Sequence, residues 1–170
     1  MSRLLNRLAT DLRLMLRRPP RQQYAALCYR FKKKQAGVEV LLLTSRDTGR
    51  WVIPKGWPME GKKAHAVAEQ EAYEEAGVRG KAEKDHFGFF HYEKKLRNGI
   101  KVLCQVQVHL LEVSDLVKNF PEKESRTLEW VSPEEAVERV NEPELKELFI
   151  AFGERMTQMQ QQPRAKTVSL

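Results

Sequence analysis

The sequence predicts an α/β fold built from strand-like runs and helices, with an amphipathic helix added at the N-terminus. Three observations predict it. Six short apolar runs have strand character, over 24–31, 38–44, 51–53, 87–93, 102–113 and 128–131. Between them, 63–76 carries alanine at every fourth position, a helical period. After the last run, Ser132-Pro133-x-Glu135 is a helix-opening signature. The chain has 170 residues, 41% of them hydrophobic, enough for the core of one medium domain.

Taken in order, Leu4, Leu5, Leu8, Leu12, Met15 and Leu16 recur at three- and four-residue spacing with Arg between them, which predicts a short helix ending at Pro19 and Pro20. That arm could dock on the domain, on a partner subunit or at a membrane surface. Tyr24–Phe31 and Val38–Thr44 flank a Lys-rich turn with Gly37 and predict a hairpin. Trp51–Ile53 is a third strand, stopped by Pro54. The helix over Lys63–Ala76 ends at Gly77, and its alanines, Ala64, Ala68, Ala72 and Ala76, let it lie close to a sheet. In Val102–Val113, Val102, Cys104, Val106 and Val108 alternate with polar neighbours. A last helix is expected from Pro143 to about Met159, then a polar, disordered tail. The expected division is a basic arm over 1–20, a domain over 21–159 and a tail over 160–170.

The net charge of +7 is concentrated: residues 1–34 hold ten Lys or Arg against one acid, Asp11. Such an arm fits attraction to a polyanion and equally a solvated helix with basic ends. No run of about 18 uncharged apolar residues exists, and the first residues lack a secretory pattern, so a cytoplasmic protein without a transmembrane segment is expected. Cys28 and Cys104 sit in strand-like runs and read as buried thiols.

Glu71, Glu74 and Glu75 stand at i, i+3 and i+4, an arc of about 100° on one helical face. Carboxylates so crowded raise one another's pKa unless a cation joins them, and within the predicted helix no Lys or Arg stands at i±4 of them. An acidic solvated face would carry the same spacing. A hard divalent ion would resolve the repulsion, since magnesium takes oxygen ligands and bridges carboxylates to phosphates. A strand and the glycine-bearing turn Pro54-Lys55-Gly56-Trp57-Pro58 lead towards this helix, as a phosphate site would need.

From Gly56 to Val78 the stretch G-W-P-M-E-G-K-K-A-H-A-V-A-E-Q-E-A-Y-E-E-A-G-V resembles the Nudix box. It matches that pattern at Gly56, Glu71, Glu74, Glu75, Gly77 and Val78. It departs at Lys62, where the family has its first glutamate (Glu60 lies close by), and at Gln70, where the family has arginine. With Glu129–Ala136 also fitting, the resemblance covers roughly 24–152. It implies a Nudix fold, an α+β sandwich whose mixed central sheet is flanked by helices, and magnesium, with manganese as the alternative ion. In that reading Glu71 and Glu75 bind the metal, and Glu74 binds metal or takes the proton from the attacking water. Glu74 and Glu71 are thus the catalytic candidates. A backbone carbonyl near Lys55 or Gly56 completes the site, with a further acid drawn from Glu112, Glu122 or Glu124. Both Glu74 and Glu75 are expected to face solvent or metal.

Thr44-Ser45-Arg46 and Arg50-Trp51-Val52-Ile53-Pro54 are similar to a phosphate-contacting segment of diphosphoinositol polyphosphate phosphohydrolases. That likeness makes Ser45, Arg46, Arg50 and Lys55 substrate contacts. Trp57 could stack on a nucleobase or cover the core edge. The expected substrate is a small anionic molecule, a diphosphoinositol polyphosphate or a dinucleoside polyphosphate. ADP-ribose or another nucleotide sugar ranks behind, as do a weakened binding module and an RNA 5′-end processing protein. No stable nucleic-acid partner is expected, and a homodimer is left open.

Overall fold

The computed structural model describes residues 18–161. The expected arm helix and most of the expected tail lie outside the described residues. One mixed sheet organises the rest. Its strands are β1 (Arg21–Phe31), β2 (Val38–Thr44), β3 (Trp51–Val52), β4 (Lys55–Gly56), β5 (Val78–Ala82), β6 (Gly88–Lys95), β7 (Lys101–Leu116) and β8 (Leu128–Val131). Three helices cover it: α1 (Ala64–Ala76), α2 (Pro133–Arg139) and α3 (Pro143–Gln161).

The spine runs β3-β2-β1-β7-β5, with β4 beside β1, β6 beside β7 and β8 beside β2. Neighbours are antiparallel except for β1 and β7, whose parallel register runs from Arg21 opposite Cys104 to Tyr29 opposite Glu112. With partners on both edges and layers on both faces, β1 is apolar without interruption from Ala25 to Cys28. Period-two alternation divides it between two cores. Ala25, Leu27 and Tyr29 join Val40, Leu42, Cys104, Val106, Val108 and Leu110 under α2 and α3, which supply Ala136, Leu145, Phe149, Phe152 and Met156. Ala26 and Cys28 join Leu41, Leu43 and Leu111 under α1, which supplies Ala68, Ala72 and Ala76. The alanine stripe therefore does pack on the sheet. Both cysteines are free and buried.

The helix ends follow local chemistry. Gly77 adopts φ 65°, and its N–H donates to carbonyls of the last turn of α1. Ser132 accepts from the Glu135 N–H, with Pro133 opening α2. Two strands were not expected. The segment β5 is short, charged and broken by Gly80; it forms because it pairs with the end of β7, which runs on to Leu116. The two-residue β4 exists through pairing of Lys55 and Gly56 with Ala25 and Tyr24. Among the described residues, no helix is long and apolar enough to cross a membrane.

Candidate active site

Six pieces of chain meet at a cleft of about 220 Å³ whose lining includes Gln23, Lys55, Gly56, Glu71, Glu75 and Arg126. The pairing of β4 with β1 presses Gly56 onto α1. A Cβ at Gly56 would run into the Glu71 carboxylate, so only glycine allows this approach. The Lys55 N–H donates to Glu75 Oε2 at 3.3 Å. The connection after β7 closes the opposite side by capping α1: the Val117 N–H donates to Gly77 O at 2.8 Å and the Glu122 N–H to Glu74 O at 2.9 Å.

That docking delivers Arg126, which the sequence reading missed. Its guanidinium donates to Glu75 Oε1 at 2.7 Å, Glu122 Oε2 at 2.8 Å and Thr44 O at 3.0 Å. The expectation that nothing basic neutralises the glutamate stripe holds only along α1; the cation arrives from far along the chain. Its one sequence trace is the i, i+4 spacing to Glu122. Glu122 also meets Arg46 Nη1 at 3.3 Å and lines the cleft, whereas Glu112 and Glu124 are exposed and do not. Gln23, Asp47 and Lys94 are further lining residues that no motif announced.

Expected and observed exposure differ on α1. Glu75 is 5% exposed and Glu71 9%, so neither faces open solvent. Glu74 is partly buried. Burial, then the Glu75, Glu74 and Glu122 carboxylates, push Glu71 up to about 7. Burial also raises Glu75, with Arg126 and Lys55 opposing. Lys55 is pushed down to about 8 by burial, with Glu75 opposing and Lys94, Arg126 and Arg50 adding to the fall.

The two departures from the family pattern touch each other. Lys62 Nζ donates to Gln70 Oε1, and Gln70 Nε2 donates to Glu74 Oε1 at 2.6 Å. Glu74 is thereby oriented by a Lys62–Gln70 relay.

Of the expected substrate contacts, Ser45, Arg46, Lys55 and Trp57 line the cleft. Arg50 does not. Its Nη2 lies 2.9 Å from Glu142 Oε1, a buried carboxylate without an aligned hydrogen bond, and its guanidinium sits 5.3 Å from the Tyr92 ring centroid. The Tyr92 hydroxyl donates to Gln23 Oε1 at 2.6 Å, so Arg50 supports the cleft wall from behind.

Among the described residues, no three His, Cys, Asp or Glu side chains already stand around one point as metal ligands. Glu75 is turned onto Arg126 and Lys55, and Glu74 onto Gln70. The donor set nevertheless suits a hard cation. Five carboxylates border one cleft, and burial together with its acidic neighbours drives Glu71 towards protonation.

A mixed sheet carrying an acidic helix behind a glycine turn defines a class of phosphate-handling hydrolase. The chain belongs to the Nudix family: the NUDIX domain model matches residues 21–152. It is 33% identical over 143 residues to Nudix hydrolase 21, chloroplastic, of Arabidopsis thaliana, covering 82% of this chain and 70% of that one. It is 30% identical over 120 residues to human diphosphoinositol polyphosphate phosphohydrolase 3-beta, covering 69% and 67%. It is 31% identical over 116 residues to Nudix hydrolase 16, mitochondrial, of Arabidopsis thaliana, covering 66% of this chain and 64% of that relative's length. In fold it is similar to a C. elegans Ap4A hydrolase, with a TM-score of 0.60 and 20% identity over 81% of this chain and 98% of that one.

Proposed function

We propose that the chain hydrolyses a phosphoanhydride bond in a diphosphoinositol polyphosphate or a dinucleoside polyphosphate, with magnesium as the resident ion and manganese as its substitute. One observation carries the reading: Glu71, Glu74, Glu75 and Glu122 line one cleft together with Arg46, Lys55, Lys94 and Arg126, so a single cavity offers oxygen ligands for a cation and positive charge for phosphates. The relatives' names support the chemistry and the compartment differently. One is a diphosphoinositol polyphosphate phosphohydrolase, while two are mitochondrial or chloroplastic, so a cytoplasmic site of action is part of the proposal.

Glu71 and Glu75 would hold the ion, with the Gly56 backbone carbonyl beside them. Bound there, it would activate water and offset charge on the phosphate oxygens. Glu74 is the least buried of the three, and the Gln70 amide fixes one of its oxygens, leaving the other to accept the proton of the attacking water. Ser45, Arg46 and Lys55 would orient the phosphates in the cleft that they share with the acids. Trp57, 37% exposed at the mouth, offers a stacking face that favours the dinucleoside substrate.

A panel of diadenosine tetraphosphate, a diphosphoinositol polyphosphate and ADP-ribose, each with magnesium and scored by product identity, tests this. Cleavage of either of the first two, abolished by Glu74→Gln, is expected. ADP-ribose as the preferred substrate would replace the substrate reading. Binding without turnover across the panel would make the domain a binding module.

A further inference from the structure

The turn joining β6 to β7 projects as a hairpin, closed by the Leu96 N–H on Ile100 O at 2.8 Å and the Gly99 N–H on Leu96 O at 2.9 Å. Its apolar side chains are uncovered: Ile100 is 49% exposed and Leu103 45%. Register places Lys95 opposite Lys101 and Lys94 opposite Val102. The start of β1 lies alongside, where Arg18, Pro19 and Arg21 with the strand 100–103 enclose a hollow of about 380 Å³. This edge thus carries Arg18, Arg21, Lys95, Arg97 and Lys101 beside two aliphatic side chains, while Lys94 turns to the cleft. The acid in the same stretch of β6, Glu93, pairs with Lys101 at 3.5 Å.

We propose that this edge docks the protein on an anionic membrane surface. Aliphatic side chains ringed by Lys and Arg are what an interface needs: the former enter the acyl boundary and the latter meet lipid phosphates and carboxylates. The sequence before Arg18 holds the same two ingredients, with Leu4, Leu5, Leu8, Leu12, Met15 and Leu16 interspersed with Arg3, Arg7, Arg13 and Arg17. A nucleic acid is the poorer fit, because the exposed apolar groups here are aliphatic and offer no stacking face. A second copy is poorer still, since a two-fold contact would oppose like charges over a small area. Lys94 also lines the cleft, and its ammonium lies 5.8 Å from the Trp57 ring centroid, so the cleft mouth opens beside the docked edge.

Full-length protein is floated with vesicles of phosphatidylcholine alone and of phosphatidylcholine with about one third phosphatidylserine. Binding is expected only to the second, and it weakens as salt rises from about 0.1 to about 1 M. The exposed pairs Ile100→Ser with Leu103→Ser, and Arg97→Glu with Lys101→Glu, should each weaken it about tenfold. Circular dichroism and light scattering check that each variant keeps its fold and its state of association. Three results overturn the proposal: no vesicle binding at low salt, equal binding to phosphatidylcholine alone, or unchanged binding in the folded Ile100→Ser, Leu103→Ser variant. Displacement from vesicles by a single-stranded RNA, with the aliphatic pair immaterial, would make the edge a nucleic-acid surface. Self-association lost in that variant without vesicle binding would make it a dimer contact. None of these readouts requires hydrolysis, so failure here is distinct from failure of the enzymatic reading.

Discussion

Arg126 Nη2 and Glu75 Oε1 lie 2.7 Å apart, both nearly buried, although 51 residues separate them in the chain. This pair joins the acidic helix to the loop that caps it. Removing the cation while its acids remain leaves buried negative charge uncompensated. Arg126→Met should therefore destabilise the protein by about 3–5 kcal/mol, read by denaturant unfolding, and added magnesium should recover part of the loss. An unfolding midpoint equal to wild type would mean that the pair contributes nothing.

Gly56 is the position where the loop backbone touches Glu71. Gly56→Ala forces the Glu71 carboxylate aside, since the added methyl has nowhere else to go. Magnesium affinity by calorimetry should fall about tenfold or more, with turnover falling in step. Unchanged ion uptake would place the metal elsewhere.

Glu74 and Glu75 should separate. Glu74→Gln removes a partly exposed base and should lower turnover by about 10²–10⁴ while barely shifting the melting temperature. Glu75→Gln should lower turnover and stability together, because it strips Arg126 of a buried partner. Parallel activity and melting curves on both variants decide this.

Lys62 and Gln70 form one relay. Gln70→Arg alone would set two cations together and should loosen Glu74, lowering turnover several-fold. Adding Lys62→Glu supplies the new arginine with a partner and should restore most of the activity. Additive losses in the double variant would show that the two positions do not communicate.

Glu71 gives a pH signature in metal-free protein. Its folded pKa, about 7, exceeds the ordinary 4.5, so the folded state binds more protons between those values. The Glu71 contribution to stability should therefore fall as pH rises through that window, by at most about 3 kcal/mol, and stay level above it. Melting temperatures across the window should show the slope, and Glu71→Gln or saturating magnesium should flatten it.

The sequence by itself determined what depends on near neighbours. The apolar runs of β1 and β2, the alternation in β7, the alanine face of α1, the stop at Gly77 and the cap at Ser132 all follow from residues within a few positions of one another. So does the placing of three glutamates on adjacent helical turns. Only the tertiary structure decided which charges they would meet. Pairing along the sheet and docking of the loop onto α1 brought Arg126, Glu122, Lys94 and Gln23 to the cleft, sent Arg50 to Glu142, and buried Glu75. Local periodicity reports which way a side chain leaves its own helix or strand. The dielectric and the opposing charge that set its chemistry come from segments dozens of residues away, positioned by long-range pairing that no short pattern encodes.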